Sequence, residues 1–176
     1  VIDERYNGGG SIADYIVDYL DRDLLGYFNN NVGEKKPFTV PNAALFGPKV
    51  MIINERAGSG GDMLPYMFKF REIGPLVGTR TWGGLVGWGN QPPFVDGGFV
   101  AAPWVGFFNV DGEWDVENIG VAPDIEVDED PALAAQGRDA QLEKAVEVAL
   151  ELLQTQEVEL IPQPADPIRV RRAGQN

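Results

Sequence analysis

The stretch Asn54-Glu-Arg-Ala-Gly-Ser-Gly-Gly-Asp-Met-Leu-Pro65 places one small nucleophile, Ser59, between glycines. The apolar run 49–54 predicts a short strand before it, and apolar residues recur at helical spacing over 63–70 after it. Pro65 is compatible with a first helical turn. We therefore expect Ser59 at the start of a helix, where free backbone N–H groups and the helix dipole stabilise a developing negative charge. The nucleophile of a serine hydrolase needs such an environment.

The composition is that of an ordinary globular domain, with 44% hydrophobic and 23% charged residues among 176. The absence of cysteine excludes disulfides, thiolate catalysis and cysteine-built zinc sites. The formal charge of −13 argues against nucleic acid as a partner, because a phosphate-binding surface needs a basic stripe. A basic cluster of Arg169, Arg171 and Arg172 is interpreted as a solvated tail or a docking strand. No apolar run reaches the roughly 20 residues that cross a bilayer, so no membrane partner is expected.

Turn signals and periodicity divide the chain into short elements. Ser11 follows a glycine-rich turn and is predicted to cap a helix whose apolar face carries Ile12, Tyr15, Ile16, Tyr19 and Leu20. A second long helix is predicted over 138–153, with Asp139 near its start and an apolar face of Leu142, Ala145, Val146, Ala149, Leu150 and Leu153. Extended segments are predicted at 38–40, 76–81, 99–105 and 106–110, with a flexible loop at 82–89 and a tight turn at Asp111-Gly112. This alternation predicts an α/β domain with a mainly parallel central sheet flanked by helices.

Ser59 needs a general base, because a serine hydroxyl is a poor nucleophile at neutral pH. The chain contains no histidine. Among the lysines, Lys69 would lie about 15 Å away along the helix, and Lys49 about 30 Å away along the strand. Distance does not exclude Lys35, Lys36 and Lys144, but no pattern points to them. The sequence therefore offers a nucleophile without an evident base.

Two glycine-rich turns are predicted to face one crevice. Gly60 follows the serine and offers its N–H to an oxyanion, and a second donor is expected from the turn Asn7-Gly-Gly-Gly10. Both turns follow parallel strands, whose carboxyl ends lie at the same edge of a sheet. Each turn alone more often has a structural role, as a tight turn or a helix N-terminus. Asp62 is predicted to cap the helix of Ser59.

Four blocks in this order resemble landmarks of the S41 peptidases: Asp3-Glu-Arg-Tyr-Asn-Gly-Gly-Gly10, Asn54-Glu-Arg-Ala-Gly-Ser-Gly-Gly-Asp62, Gly78-Thr-Arg-Thr-Trp-Gly-Gly84 and Glu117-Asn-Ile-Gly-Val-Ala-Pro-Asp124. The resemblance implies that Ser59 is the nucleophile and that Glu117 completes its relay. It implies oxyanion donors at the N–H groups of Gly60 and of Gly8 or Gly9. It also implies that a histidine and a second serine precede this chain in a longer protein. One branch of the family uses a lysine in a stretch that reads Arg-Thr-Trp-Gly-Gly here, so the histidine branch is favoured.

The likeness covers roughly residues 1–153 and implies a crotonase-like peptidase core that begins mid-domain, followed by a tail at 154–176. It implies a peptide substrate, no cofactor or metal, homo-oligomers of the complete protein, and a cytoplasmic location with a periplasmic one left open. Trp82 and Trp88 are expected either to flank the peptide cleft or to pack within their glycine-rich loop. Two alternatives share the fold. They are a non-catalytic module that binds peptide or another ligand, and an acyl-CoA enzyme, which the pairing of Ser59 with Glu117 disfavours.

Overall fold

The computed structural model describes residues 1–29, 36–89, 91–156 and 161–166. In chain order, its strands are β1 (Ile2–Asp3), β2 (Gly26–Phe28), β3 (Phe38–Val40), β4 (Met51–Ile53), β5 (Leu76–Gly78), β6 (Gly87–Trp88), β7 (Pro103–Val105) and β8 (Ile125–Glu126). Its helices are α1 (Ala13–Leu20), α2 (Gly60–Phe70), α3 (Pro131–Ala134) and α4 (Ala140–Thr155). Strands β1, β4, β5 and β8 form a parallel sheet in the order β1-β4-β5-β8, which confirms the predicted α/β class.

The central strand β4 is buried on both faces of this sheet, which explains why its sequence is apolar at every position. Met51 and Ile53 pack toward α1 and α2, together with Leu64 and Phe68. On the opposite face Val50 and Ile52 pack against α4, together with Val77, Ala145 and Val148. Because successive side chains of a strand point to opposite faces, one short run supplies both halves of the core.

The parallel register brings the carboxyl ends of three strands to one edge of the sheet. Asp3 pairs with Ile52, Ile53 pairs with Gly78, and Gly78 pairs with Glu126. The turns that follow β1, β4 and β5 therefore meet at this edge, where α/β proteins build their sites. Two small antiparallel sheets, β2 with β3 and β6 with β7, lie outside the main sheet. No helix among the described residues is long and apolar enough to cross a membrane.

The helix predicted after the first glycine turn exists, but its start and its buried face differ from the prediction. Helix α1 begins at Ala13 without a side-chain cap, so the prediction that Ser11 caps it is wrong. Of the predicted apolar face, Leu20 is buried and Ile16 packs partly buried against the core, whereas Ile12, Tyr15 and Tyr19 are exposed. Ala13 and Val17 are buried instead. Both stripes fit the helical period, and the close packing of α1 on α2 selects the one with smaller side chains.

The same ambiguity affects α4, which runs from Ala140 to Thr155 and not over 138–153. Asp139 caps it, as its position near the predicted start suggests, by accepting from the N–H of Leu142 at 2.9 Å. Ala145 and Val148 face the sheet with Ala149 and Leu152 beside them. The other predicted core residues are 40–56% exposed: Leu142, Val146, Leu150 and Leu153.

Of the two strands predicted over 99–110, one short piece forms, β7. Beyond it Phe108 makes a single antiparallel bridge with Trp114, across the predicted tight turn in which Gly112 has a φ of +82°. The extended segment 38–40 matches β3. The arginine cluster 169–172 lies outside the described residues.

Candidate active site

Ser59 occupies a sharp turn between β4 and α2, at the N-cap of the helix, as predicted. Its φ of +56° and ψ of −115° lie in a region that residues with a side chain rarely adopt. Such a conformation costs on the order of 1–3 kcal/mol and persists when surrounding contacts hold it. The contacts around Ser59 must therefore hold it in this conformation.

The turn 7–10 packs directly against the turn that carries Ser59. A Cβ added to Gly9 would lie 2.8 Å from the Cβ of Ser59 and 3.0 Å from its Oγ, and one added to Gly61 would overlap the carbonyl of Asn7. The Gly58 N–H donates to the same carbonyl at 2.9 Å. Glycines are therefore required on both sides of this contact, and the two turns predicted to share a crevice do share it.

The hydrogen bonds inside the first turn distinguish its two candidate oxyanion donors. The N–H of Gly9 donates to Oδ1 of Asn7 at 2.9 Å, whereas Gly8 lines the cleft beside Ser59. Gly60 is the first residue of α2, where a backbone N–H has no acceptor within the helix. Gly8 and Gly60 thus fit an oxyanion site better than Gly9 does.

Glu117 lies across the same cleft and is held by main-chain donors. Its Oε2 accepts from the N–H groups of Leu85 and Val86, both at 2.7 Å. Its neighbours Val116 and Asn118 have φ values of +68° and +60°, and Val116 is buried. A positive φ is a pronounced outlier for a β-branched residue, so the turn that presents this carboxylate is strained, like the turn that presents the serine.

The segment 83–86 connects the two strained turns. Gly83 donates its N–H to Oδ1 of Asp62 at 2.8 Å, and its carbonyl accepts from the N–H of Asn118 at 2.7 Å. The Gly84 carbonyl accepts from the N–H of Ser59 at 3.0 Å. The prediction of a flexible loop over 82–89 is therefore wrong for this part of it. Its glycines allow a close backbone approach that a side chain at Gly83 would block.

The cleft has a volume of about 620 Å³ and contains both Ser59 and Glu117. The rest of its lining is Gly8, Trp82, Gly83, Gly84, Val86, Gly87, Trp88 and Asn118. Trp82 and Trp88 are 70% and 69% exposed. The indole of Trp82 packs so closely on Gly58 and Gly84 that a side chain at either position would overlap it. Part of this ring therefore packs against the turn of Ser59, while most of the Trp82 side chain is exposed to solvent.

The lysines that the structure places in detail make contacts of their own. Lys49 Nζ donates to the Gly47 carbonyl at 3.0 Å, Lys69 pairs with Asp124 at 2.8 Å, and Lys144 pairs with Glu147 at 2.8 Å. Lys35 lies outside the described residues. Within the described ranges, no group of three or more acidic side chains could hold a metal ion.

Sequence reasoning missed Glu4, a buried carboxyl group behind the turn 7–10. Its side chain is 6% exposed, and its Oε1 accepts from Nδ2 of Asn7 at 2.7 Å. Burial raises the pKa of Glu4 to about 7, and the hydrogen bond from Asn7 opposes that shift. Asn7 in turn holds Gly9, so Glu4 lies directly behind the turn. The sequence shows only that Glu4 lies near the end of a strand, and this position does not predict that its side chain is buried.

A parallel α/β sheet, a serine at a strained strand-to-helix turn, and a carboxylate held across the same cleft together have the form of a serine hydrolase site. The sequence model of peptidase family S41 matches residues 1–127, and the chain belongs to that family.

Relatives of this chain within the family include tricorn proteases. The chain is 38% identical over 160 residues to the tricorn protease of Thermoplasma volcanium, covering 91% of this chain and 15% of that protein. It is 39% identical over 154 residues to tricorn protease homolog 1 of Streptomyces coelicolor, covering 88% of this chain and 14% of that protein. The crystal structure of the tricorn protease superposes with a TM-score of 0.80 at 36% identity, over 86% of this chain and 15% of that one. The chain therefore spans about one seventh of the length of these relatives.

Proposed function

We propose that this chain carries the nucleophilic half of a serine peptidase that hydrolyses oligopeptides. One observation supports this above the others: Ser59 and Glu117, far apart in sequence, line one cleft and are joined by the same backbone segment. The relatives named above are proteases. No observation on the described residues favours a non-catalytic module or an acyl-CoA enzyme.

In the proposed reaction, Oγ of Ser59 attacks the carbonyl carbon of the scissile bond while a base takes its proton. The N–H groups of Gly60 and Gly8 then bind the resulting oxyanion, helped by the N-terminus of α2. Collapse of this intermediate breaks the C–N bond, and the base returns the proton to the leaving amine. Water then hydrolyses the acyl-enzyme by the same steps.

The base is proposed to be a histidine outside this chain, because these 176 residues contain none. Oε2 of Glu117 already accepts from the N–H groups of Leu85 and Val86, so Oε1 is the oxygen proposed to accept from that histidine. A carboxylate in this position holds a histidine in the correct tautomer and stabilises its charged form. Trp82 and Trp88 are proposed to bind the substrate as open aromatic walls.

The wider assignments rest on the relatives and on the sequence. We propose that the complete protein is a cytoplasmic homo-oligomer and that the catalytic part ends near residue 153, where a tail begins. Helix α4 continues to Thr155, so a boundary placed after the helix fits the structure better.

The function is tested in the full-length protein with a fluorophosphonate probe and a mixture of oligopeptides. We expect labelling at Ser59, and loss of both labelling and hydrolysis in Ser59→Ala. Ser11→Ala is the matched control, because Ser11 is the other serine of the chain and is exposed. Peptide hydrolysis that is unchanged in Ser59→Ala would contradict the proposal. The 176-residue chain alone is expected to label far more slowly, because it lacks the base.

A further inference from the structure

The carboxylate of Asp62 lies between the strained turn of Ser59 and the segment 83–86. It is fully buried, with 0% exposure. Its Oδ2 accepts from the N–H of Ser59 at 2.9 Å and of Gly84 at 3.1 Å, and its Oδ1 accepts from the N–H of Gly83 at 2.8 Å. Three main-chain donors therefore converge on one side chain.

Helix capping accounts for one of these three bonds. The other aspartates at helix starts accept within their own first turn: Asp130 from Ala132 and Asp139 from Leu142. Asp62 instead accepts two bonds from Gly83 and Gly84, which lie far along the chain, and these bonds do not cap α2. The prediction that Asp62 caps its helix is thus confirmed for the bond to Ser59 but explains only that bond.

The segment held by Asp62 is the one that holds Glu117. Gly83 and Gly84 bond to Asp62 at one end, and the next two N–H groups, of Leu85 and Val86, bond to Glu117 at the other. Gly84 also accepts directly from the N–H of Ser59. A displacement of this segment would therefore move the nucleophile and the glutamate relative to each other.

We propose that Asp62 is a positioning residue that fixes the strained backbone of Ser59 and, through residues 83–86, the orientation of Glu117. Asp62 does not touch the substrate. The inference rests on the proposed peptidase function and assigns one more residue to it.

Replacing Asp62 by asparagine keeps the size of the side chain but removes one of its two hydrogen-bond acceptors. Asparagine has nearly the same size, but one oxygen becomes an NH2 group, which cannot accept. With the NH2 group at the Oδ1 position the Gly83 bond is lost, and at the Oδ2 position the bonds to Ser59 and Gly84 are lost. In either orientation a donor faces a donor, so the segment must shift.

The experiment compares Asp62→Asn with wild type in the full-length protein, using kcat, KM and the rate of fluorophosphonate labelling per titratable site. We expect kcat and the labelling rate to fall on the order of 100-fold, the size of effect that a small misplacement produces. KM should change less than about threefold, because the walls of the cleft remain. Counting titratable sites removes any contribution from unfolded protein.

Asp124→Asn is the matched control. Its carboxylate also accepts a backbone N–H, that of Leu76 at 2.8 Å, but at the opposite end of β5. It should lose stability while kcat per site stays within about twofold of wild type. Wild-type kcat in folded Asp62→Asn would overturn the inference.

If Asp62→Asn does not fold, Asp62→Glu keeps the charge and both acceptors but displaces them by one methylene. We expect it to fold with kcat at least tenfold lower, and a wild-type kcat would equally overturn the inference. The proposed function is judged separately. If Ser59→Ala remains active, the proposed function is wrong. If Ser59→Ala is inactive but Asp62→Asn has the kcat of wild type, only the positioning role of Asp62 is rejected.

Discussion

The Cα of Gly9 faces the side chain of Ser59 so closely that a methyl group on it would lie 2.8 Å from the serine Cβ. The absence of a side chain at Gly9 therefore leaves the space that the side chain of Ser59 occupies. Gly9 also has a φ of +115°, which residues with a side chain rarely adopt.

We expect Gly9→Ala to lower kcat on the order of 100-fold, because the added methyl group displaces Ser59 from its attack position. Gly10→Ala is the control: its φ is +112°, but no atom lies within 4 Å of its Cβ position. Both variants should lose about 1–3 kcal/mol of stability from backbone strain. Chemical denaturation measures that loss, and peptide hydrolysis measures kcat. Equal kcat values for the two variants would show that contact with Ser59 is unimportant.

Glu117→Gln is expected to reduce kcat on the order of 10³-fold without unfolding the protein. The amide oxygen of glutamine can still accept from Leu85 and Val86, so the turn is preserved while the charge that supports the base is lost. Steady-state kinetics on the full-length protein measures the effect. Glu113→Gln, on the exposed tip of the neighbouring turn, should retain wild-type kcat. A small effect of Glu117→Gln would remove Glu117 from the relay.

Glu4 makes the stability of the chain depend on pH. Its pKa in the folded state is about 7, above the ordinary 4.5, so the folded protein binds the extra proton between these values. Stability is therefore greatest below about pH 4.5 with respect to this group and falls by up to about 3 kcal/mol as pH rises to 7.

Denaturant unfolding of wild type and Glu4→Gln across pH 4.5–8 measures this contribution. Glutamine keeps an acceptor for Asn7 Nδ2 but does not titrate, so the variant should lose this downward slope. Identical slopes in the two proteins would contradict the raised pKa.

Trp82→Ala is expected to raise KM about tenfold for oligopeptides, with a smaller change in kcat. A lost aromatic contact of about 1.4 kcal/mol corresponds to a factor of ten in affinity. Trp114→Ala is the control, because that ring is also exposed but packs edge-on against Phe108 and does not line the cleft. If KM is unchanged and stability falls instead, Trp82 serves to pack its loop.

The sequence predicted the local geometry of Ser59 and Gly60 well, because a strand, a glycine turn and a helix form a local pattern. Gly60 and Ser59 are adjacent, and their environment follows from the helix N-terminus alone. The partner role of Glu117 came from family resemblance and not from residue chemistry. Its contacts are backbone N–H groups of Leu85 and Val86, and main-chain donors have no signature in a sequence.

The helix faces show the other limit of sequence reasoning. In α4 two apolar stripes overlap, and the helical period fits both. The sheet selects the stripe that contains Val148, leaving Leu150 56% exposed. Which stripe is buried depends on the surface opposite the helix, and this is determined by residues far away in sequence.

The N–H groups of Leu85 and Val86 that hold Glu117 belong to the backbone, and every residue except proline supplies such a donor. Val86 lines the cleft, and its N–H holds Glu117. Any residue other than proline at position 86 can therefore keep the hydrogen bond to Glu117 while it changes the lining of the cleft. The shape of the cleft and the placement of Glu117 are thus separable at a single position.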